Sequence, residues 1–243
     1  MEFVAYPFVE NLYRVSEDTG CISENRVLRE LLSIAVVVQE KIDGTNICVS
    51  WLPDEGRFDY YSRNGHTVPP LIEQVLHKTF IPDKWEGREE ALIYGEAFGP
   101  GIQKKGMSYG PEKRFAVFDV LHPSGRFMNL NSMTEYCSEV GVEVVPRLEE
   151  SILLSSRASQ CPIWSIMEGE EIYMYTEDDF RPEVTSVIPE EGLFRNQKPE
   201  GVILRPALDL LDNRGKRVMF KHKPADLHSH YCAVRKRLKL YTQ

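Results

Sequence analysis

Gln39-Glu40-Lys41-Ile42-Asp43-Gly44-Thr45-Asn46 is the stretch on which the reading of this chain turns. It follows the β-branched run Ile34-Ala35-Val36-Val37-Val38 and leads into Ile47-Cys48-Val49-Ser50-Trp51. A strand, a tight polar loop with one lysine, and a second strand are expected. A Lys-x-Asp-Gly loop can hold an amine nucleophile: Gly44 permits positive φ, and Asp43 can bond its own backbone. Four residues of this kind recur by chance, so their meaning rests on whether the partners of such a lysine follow.

Working outward, Tyr6-Pro7-Phe8-Val9-Glu10-Asn11 reads as extended, because Pro7 moves Tyr6 out of the helical region. Ser23 is expected to cap a short helix with Val27, Leu28, Leu31 and Leu32 at helical spacing. Beyond the lysine, the turn Pro53-Asp54-Glu55-Gly56 leads to a third strand, Phe58 to Arg63, antiparallel to the second. Pro69 and Pro70 open a helix from Leu71 to Phe80. Leu92 to Gly99 is a strand carrying Glu96, followed by the glycine-rich loop Gly99 to Gly106, and Phe115 to Val120 is another strand. Ser132 and Glu135 form an expected capping box for a helix ending at Gly141. Residues 149–191 read as helix plus a surface excursion. Gly201 to Arg205 and Arg217 to Lys223 are expected strands, and Leu227 to Leu240 a closing basic helix. Short strands at irregular spacing with helices between them give an α+β class with mainly antiparallel sheets flanked by helices.

The chain has 243 residues and a formal charge of −8, which by itself argues against a nucleic-acid partner. The acid is concentrated, however: between Glu149 and Glu191 there are eleven acidic and two basic residues, so the rest is near neutral. From Arg214 to Lys239 nine Lys or Arg face one acid, Asp226, a surface suited to polyphosphate. Five scattered cysteines without a C-x-x-C pair imply a reducing compartment, with neither a disulfide framework nor a zinc site. His228, His230 and Cys232 alternate but lack a second ligand cluster. With no signal-like N-terminus and no run of roughly 18 apolar residues, an intracellular, soluble, cytoplasmic protein without a membrane partner is expected.

A lysine that attacks a nucleotide phosphate has stated needs. A free amine is mostly protonated at neutral pH, and neighbouring cations or burial favour its neutral form. The triphosphate needs a divalent metal and basic groups on its oxygens, and the metal needs carboxylates. The base needs an aromatic face and the ribose an acceptor. Lys221 and Lys223, two apart on one strand, share a face opposite Phe220 and His222. Two ammonium groups on one face repel unless an anion lies between them. Glu200 precedes an apolar strand, where a carboxylate can reach a metal. Glu96 is a carboxylate among apolar residues, which is costly if buried and ordinary at a sheet edge. Phe118 can stack on a base or simply fill the core.

The order of these elements is more specific than any one of them. Lys41-Ile42-Asp43-Gly44, Ser62-Arg63-Asn64-Gly65, Tyr94-Gly95-Glu96, Phe115 to Val120, Glu200-Gly201-Val202-Ile203 and Lys221-His222-Lys223 follow one another over most of the chain. This series resembles the ordered motifs of covalent nucleotidyltransferases: ATP-dependent DNA ligases, RNA ligases and mRNA capping guanylyltransferases. Tyr6-Pro7-Phe8-Val9-Glu10-Asn11, Asn46 after the lysine loop, and Gly95 to Lys104 are similar to the RNA ligase 2 family. The resemblance implies the ligase adenylation-domain (nucleotidyltransferase) fold; residues 1–243 are expected to form a single such domain with no OB-fold or other C-terminal domain evident, a departure from the family, whose members continue into one. It implies that Lys41 takes AMP from ATP as a lysyl phosphoramidate with Mg²⁺ or Mn²⁺. Glu40 and Phe118 would frame the adenine, Glu96 the ribose, Arg63 and Asn46 sugar and phosphate, Glu200 the metal, and Lys221 and Lys223 the α-phosphate. AMP would pass to an RNA 5′-phosphate, and a 3′-hydroxyl would displace it. A natural minimal ligase, an excised catalytic domain and one half of an assembly whose partner protein binds RNA in place of the C-terminal domain are all open, with Arg235, Lys236, Arg237 and Lys239 able to add phosphate contacts. A GTP-dependent capping guanylyltransferase, a nick-sealing DNA ligase core and a catalytically silent RNA-binding module stay open as alternatives.

Overall fold

β-branched and aromatic runs set the strands of two sheets, and the loops between them decide which side chains meet. The computed structural model describes residues 1–18, 20, 22–24, 35–104, 106–153 and 200–237. As far as they are described, residues 1–8 and 42–146 form one compact unit and residues 9–41, 147–153 and 200–237 another. The architecture is mixed α+β with mainly antiparallel sheets. Among the described residues, no helix is long and apolar enough to cross a membrane.

In the first unit, β5 (Thr45–Leu52), β6 (Arg57–Ser62), β7 (Ala91–Phe98) and β8 (Arg114–Leu121) form an antiparallel sheet in the order β6-β5-β7-β8. One face carries Ile47, Val49, Trp51, Ile93, Ala97, Phe115, Val117 and Val120 against helices α1 (Pro70–Thr79) and α2 (Leu130–Val140). Pro70 at the first turn, Glu73 near the N-terminus and His77 and Lys78 in the last turn suit the fixed φ of proline and the helix dipole. α1 buries Ile72, Val75 and Leu76 against this face. Leu76 is fully buried, so Leu76→Ala would cost about 2–5 kcal/mol through lost transfer energy and a cavity.

Asn129, not Ser132, caps α2: its side chain accepts from the Ser132 backbone N–H at 2.9 Å. The expected capping box is thus displaced by one turn, because asparagine is at least as good a cap as serine and stands where the chain is still extended. The helix stops as expected at Gly141, left-handed at φ 71°. Glu143, just beyond, accepts from Arg114 Nε at 3.0 Å. Burial pushes its carboxyl above the usual value, and the Arg114 guanidinium pulls the other way.

β8 contains one residue more than its partner. Gly95 pairs with Val117 and Tyr94 with Asp119, which leaves Phe118 as a β-bulge. Phe118 and Asp119 therefore share the sheet's second face, with Cys48, Tyr94, Ala116 and Leu121. Residues 1–8 cover part of this face: the Tyr6 hydroxyl donates to Asp119 Oδ2 at 2.8 Å, and its ring meets Phe118 edge-on at 4.8 Å. The expected extended run is thereby anchored. Burial pushes the Cys48 thiol up to about 12 and the neighbouring Tyr94 phenol upward as well.

In the second unit, β1 (Glu10–Asn11), β11 (Phe220–His222), β10 (Gly201–Pro206), β4 (Ala35–Lys41) and β9 (Arg147–Leu153) form a sheet in that order. β1 and β11 are parallel; the other pairs are antiparallel. β4 is buried from Val36 to Glu40, as its unbroken apolar run suggests. β9 corrects the reading of the acidic stretch: its beginning is an edge strand, a place where charged residues discourage further pairing. The rest of that stretch, from 154, lies outside the described residues.

β2 (Tyr13–Val15) and β3 (Ile22–Glu24) form a separate hairpin-like pair. Ser23 thus stands in a strand instead of capping a helix, and the expected helix over 27–32 lies outside the described residues. β11 is shorter than expected, because Arg217 and Val218 fold back on Leu211 and Leu210. α3 (Pro224–Arg237) opens three residues early, at a proline suited to a first turn. Arg237 Nη2 holds Glu17 Oε2 at 2.5 Å and keeps that carboxyl below its usual range.

Candidate active site

Lys41 is the last residue of β4, opposite Gly201 of β10. The residue before it, Glu40, is buried at 3% exposure and pairs with Val202. On β11 the side chains alternate: Phe220 and His222 are buried, and Lys221 is half-buried. Lys223, one step past the strand, is half-buried like Lys221. His222 is fixed by an edge-on contact with Tyr13 at 5.2 Å.

Gly201 explains how β10 and β11 come close enough to matter. A Cβ there would stand 2.1 Å from the His222 carbonyl oxygen. Without that methyl group, the Glu200 carboxylate reaches both neighbouring lysines. Lys41 Nζ is 2.5 Å from its Oε2, and Lys223 Nζ is 2.6 Å from its Oε1. All three side chains are between 16% and 24% exposed, so the pairs are only partly screened by water. One carboxylate thus holds two ammonium groups well within a Debye length, about 10 Å, of each other. Glu200 is thus the anion between Lys41 and Lys223.

The first unit carries the remaining expected residues. Asn46 pairs with Glu96, and Glu96 with Ala116, so the three share the sheet's second face. Glu96 is half-buried on β7, which lies inside the sheet and not at its edge. Arg63 follows the Ser62–Ile47 pair by one residue and is exposed in the turn at the level of Asn46. The bulge turns Phe118, half-buried, to that same face. Lys41, Glu200 and Lys223 thus meet in one unit, and Asn46, Glu96 and Phe118 share a face in the other.

The lysine loop differs from expectation in one respect. Gly44 is not among the glycines with positive φ. It is required instead by close approach, since a Cβ would stand 2.4 Å from the Ala97 carbonyl oxygen and 2.6 Å from Glu96 Cγ. Sequence reasoning passed over Tyr6 and Tyr109. The Tyr109 hydroxyl accepts from the Asp43 backbone N–H at 2.5 Å. A tyrosine beside Gly106 and Gly110, after a strand carrying a carboxylate, was the available signal.

The fold defined by these sheets is shared with solved ATP-dependent ligases. A protein of Aquifex aeolicus described as an ATP-dependent DNA ligase superposes with a TM-score of 0.59 at 19% identity, over 98% of this chain and 60% of that one. An archaeal ATP-dependent RNA ligase gives 0.60 at 17%, over 96% and 52%. A mutant of the Naegleria gruberi RNA ligase, solved with ATP and Mn, gives 0.58 at 16%, over 92% and 62%. The chain therefore spans between half and two-thirds of the length of these structures. A search of curated protein sequences finds no significant match. A family model described as RNA ligase matches residues 34–223, and the chain belongs to that family.

Proposed function

We propose that this chain is an ATP-dependent RNA ligase, or the adenylyltransferase core of one, and that residues 1–243 act as a single nucleotidyltransferase domain. The observation that carries the reading is the Glu200 carboxylate shared by the Lys41 and Lys223 ammonium groups, within the segment that matches the family. Lys41 Nζ attacks the α-phosphorus of ATP, a nitrogen–phosphorus bond forms, and pyrophosphate leaves with the electrons of the broken phosphoanhydride bond. Before that, Lys41 must lose a proton. That proton passes to solvent, and Glu200 would be a carboxylate ligand for Mg²⁺ or Mn²⁺.

Among the described residues there is no cluster of three or more His, Cys, Asp or Glu able to hold a metal ion. The residues present fit Mg²⁺ nonetheless, since that ion takes one or two carboxylates and completes its shell with phosphate oxygens and water. When bound, it supplies charge neutralisation at the phosphate oxygens. Lys221 and Lys223 hold the α-phosphate and stabilise charge as pyrophosphate departs. Phe118 and Glu40 frame the adenine, Glu96 accepts from the ribose hydroxyls, and Asn46 and Arg63 contact sugar and phosphate. In the following steps AMP passes to an RNA 5′-phosphate, and a 3′-hydroxyl displaces it to join the strand.

An RNA-binding partner protein would supply further grip. Of the C-terminal cations, Arg237 is already paired with Glu17, which leaves Lys236 as the exposed described one for phosphate contact.

The test is incubation with α-labelled ATP and Mg²⁺. Acid-stable label should appear on the protein with release of pyrophosphate and be absent in Lys41→Ala. Labelling by GTP in place of ATP would instead favour a capping guanylyltransferase. Absence of label with either nucleotide would leave a silent RNA-binding module. Equal joining of RNA and DNA 3′-hydroxyl ends would favour a DNA ligase.

A further inference from the structure

The loop expected over Gly99 to Gly106 runs on into a turn that ends at Tyr109, and its described residues are closely built. A Cβ on Gly106 would stand 2.0 Å from the Gly99 carbonyl oxygen, and one on Gly99, at φ 117°, 2.5 Å from that of Glu112. The segment therefore folds back on itself at positions no side chain can occupy. Its last turn, Gly106–Tyr109, buries the Tyr109 ring against Phe98 at 5.1 Å, in a cluster with Ile42, Ala116 and Val145. The hydroxyl at the end of that ring accepts from the Asp43 N–H at 2.5 Å, and Gln103 Nε2 donates to the Gly44 carbonyl at 3.3 Å.

Ile42, Asp43 and Gly44 are the three residues that follow Lys41. Ile42 is packed on the Tyr109 ring's cluster, Asp43 is tied to the Tyr109 hydroxyl, and Gly44 is pressed to the Ala97 carbonyl. A nucleophile needs its reacting atom held near the attack geometry, and a misplacement of about 1 Å can cost about 10²-fold in rate. Ile42 and Asp43 carry the backbone leaving Lys41, so what holds them restrains the chain on the lysine's C-terminal side.

We infer that Tyr109 is a positioning residue for Lys41: its hydroxyl fixes the Asp43 amide and so holds the lysine loop in the conformation used for attack on ATP. The inference rests on the proposed adenylylation and adds a residue to it. Tyr109 touches neither nucleotide nor Lys41 Nζ in this account. Its loss therefore slows the step in which Lys41 is the nucleophile and spares both ATP binding and the final joining step, in which a 3′-hydroxyl is the nucleophile.

The test is Tyr109→Phe in the full chain, which keeps the packed ring and removes only the oxygen. Single-turnover labelling with α-labelled ATP should show a maximal rate at least tenfold below wild type, with half-saturating ATP within about threefold. Joining of an RNA already carrying AMP on its 5′-phosphate should proceed within about threefold of wild type. Hydrogen exchange at the Asp43 amide should quicken at least tenfold, while amides of Ile47, Val49 and Ile93 stay protected. A wild-type maximal rate, or a loss confined to ATP affinity, would overturn the inference. So would Asp43 exchange equal to wild type. Wild-type protein that takes no label removes the adenylylation reading itself; the exchange measurement then reports on the hydroxyl–amide tie separately.

Discussion

Gly201→Ala asks whether the approach of β10 to β11 is what assembles Lys41, Glu200 and Lys223. The added methyl carbon would stand 2.1 Å from the His222 carbonyl oxygen, 3.0 Å from its carbon and 3.2 Å from Lys223 Cα, against an ordinary contact of 3.4 Å or more. Two of the three neighbours are one carbonyl group of backbone, which cannot swing aside as a flexible side chain does. The strands must therefore part by about an ångström, since repulsion rises steeply inside contact. Overpacking of this kind costs about 1–3 kcal/mol. For a chain of this size that lowers Tm by about 2–4 °C per kcal/mol.

The same displacement lengthens the 2.6 Å pair between Lys223 and Glu200 and shifts Gly201 against its partner Lys41. Adenylylation should then fall by about 10- to 100-fold, each tenfold corresponding to about 1.4 kcal/mol of barrier. Thermal denaturation and labelling with ATP read the two effects on one sample. Gly56→Ala is the control: at φ 58° with nothing within 4 Å, it strains a distant turn by about 1 kcal/mol while leaving labelling at the wild-type rate. Wild-type labelling in Gly201→Ala would refute the reasoning, whatever happens to Tm.

Two further outcomes follow from buried titratable groups. Thiols of Cys48 and Cys137, both pushed up to about 12 by burial, should resist alkylation at pH 8 in the folded protein, while exposed Cys232 reacts; peptide mapping by mass spectrometry reads each site, and rapid native labelling of Cys48 would contradict its packing. Glu143 has its folded-state value raised by burial above the usual 4.5, so folding takes up a proton there; its contribution is fully present below pH 4.5 and is lost as pH rises through the raised value. Glu143→Gln should flatten that part of the stability profile in urea titrations, and an unchanged slope above pH 4.5 would disprove the assignment.

Much of the site was legible because its residues sit where periodicity is plain. Lys41 ends the strand that an apolar run begins, Glu96 interrupts another such run, and Lys221 and Lys223 alternate with Phe220 and His222. The joint hold of Glu200 on two lysines was not legible, because it joins Lys41 to a residue 159 positions away and depends on a missing methyl group at Gly201. Gly44 was read for the wrong reason: turns and close approaches both select glycine, and only the Ala97 carbonyl distinguishes them. The capping of α2 went to Asn129 over Ser132 because both residue types cap well and the boundary itself is set by packing. The strand Arg147–Leu153 escaped because acidic residues mask alternation at a sheet edge.

The extra residue at Phe118 changes the counting rule along β8. Up to Phe118, odd positions turn toward the helices and even ones away; from Asp119 onward the relation is reversed, so that Val120 joins Phe115 and Val117 while Leu121 does not. A ring at 118 and an acid at 119 can then stand side by side without either being forced into the hydrocarbon interior. Deleting Val117 would restore simple alternation, and in doing so it would carry the Phe118 ring to the helix-facing side of the sheet.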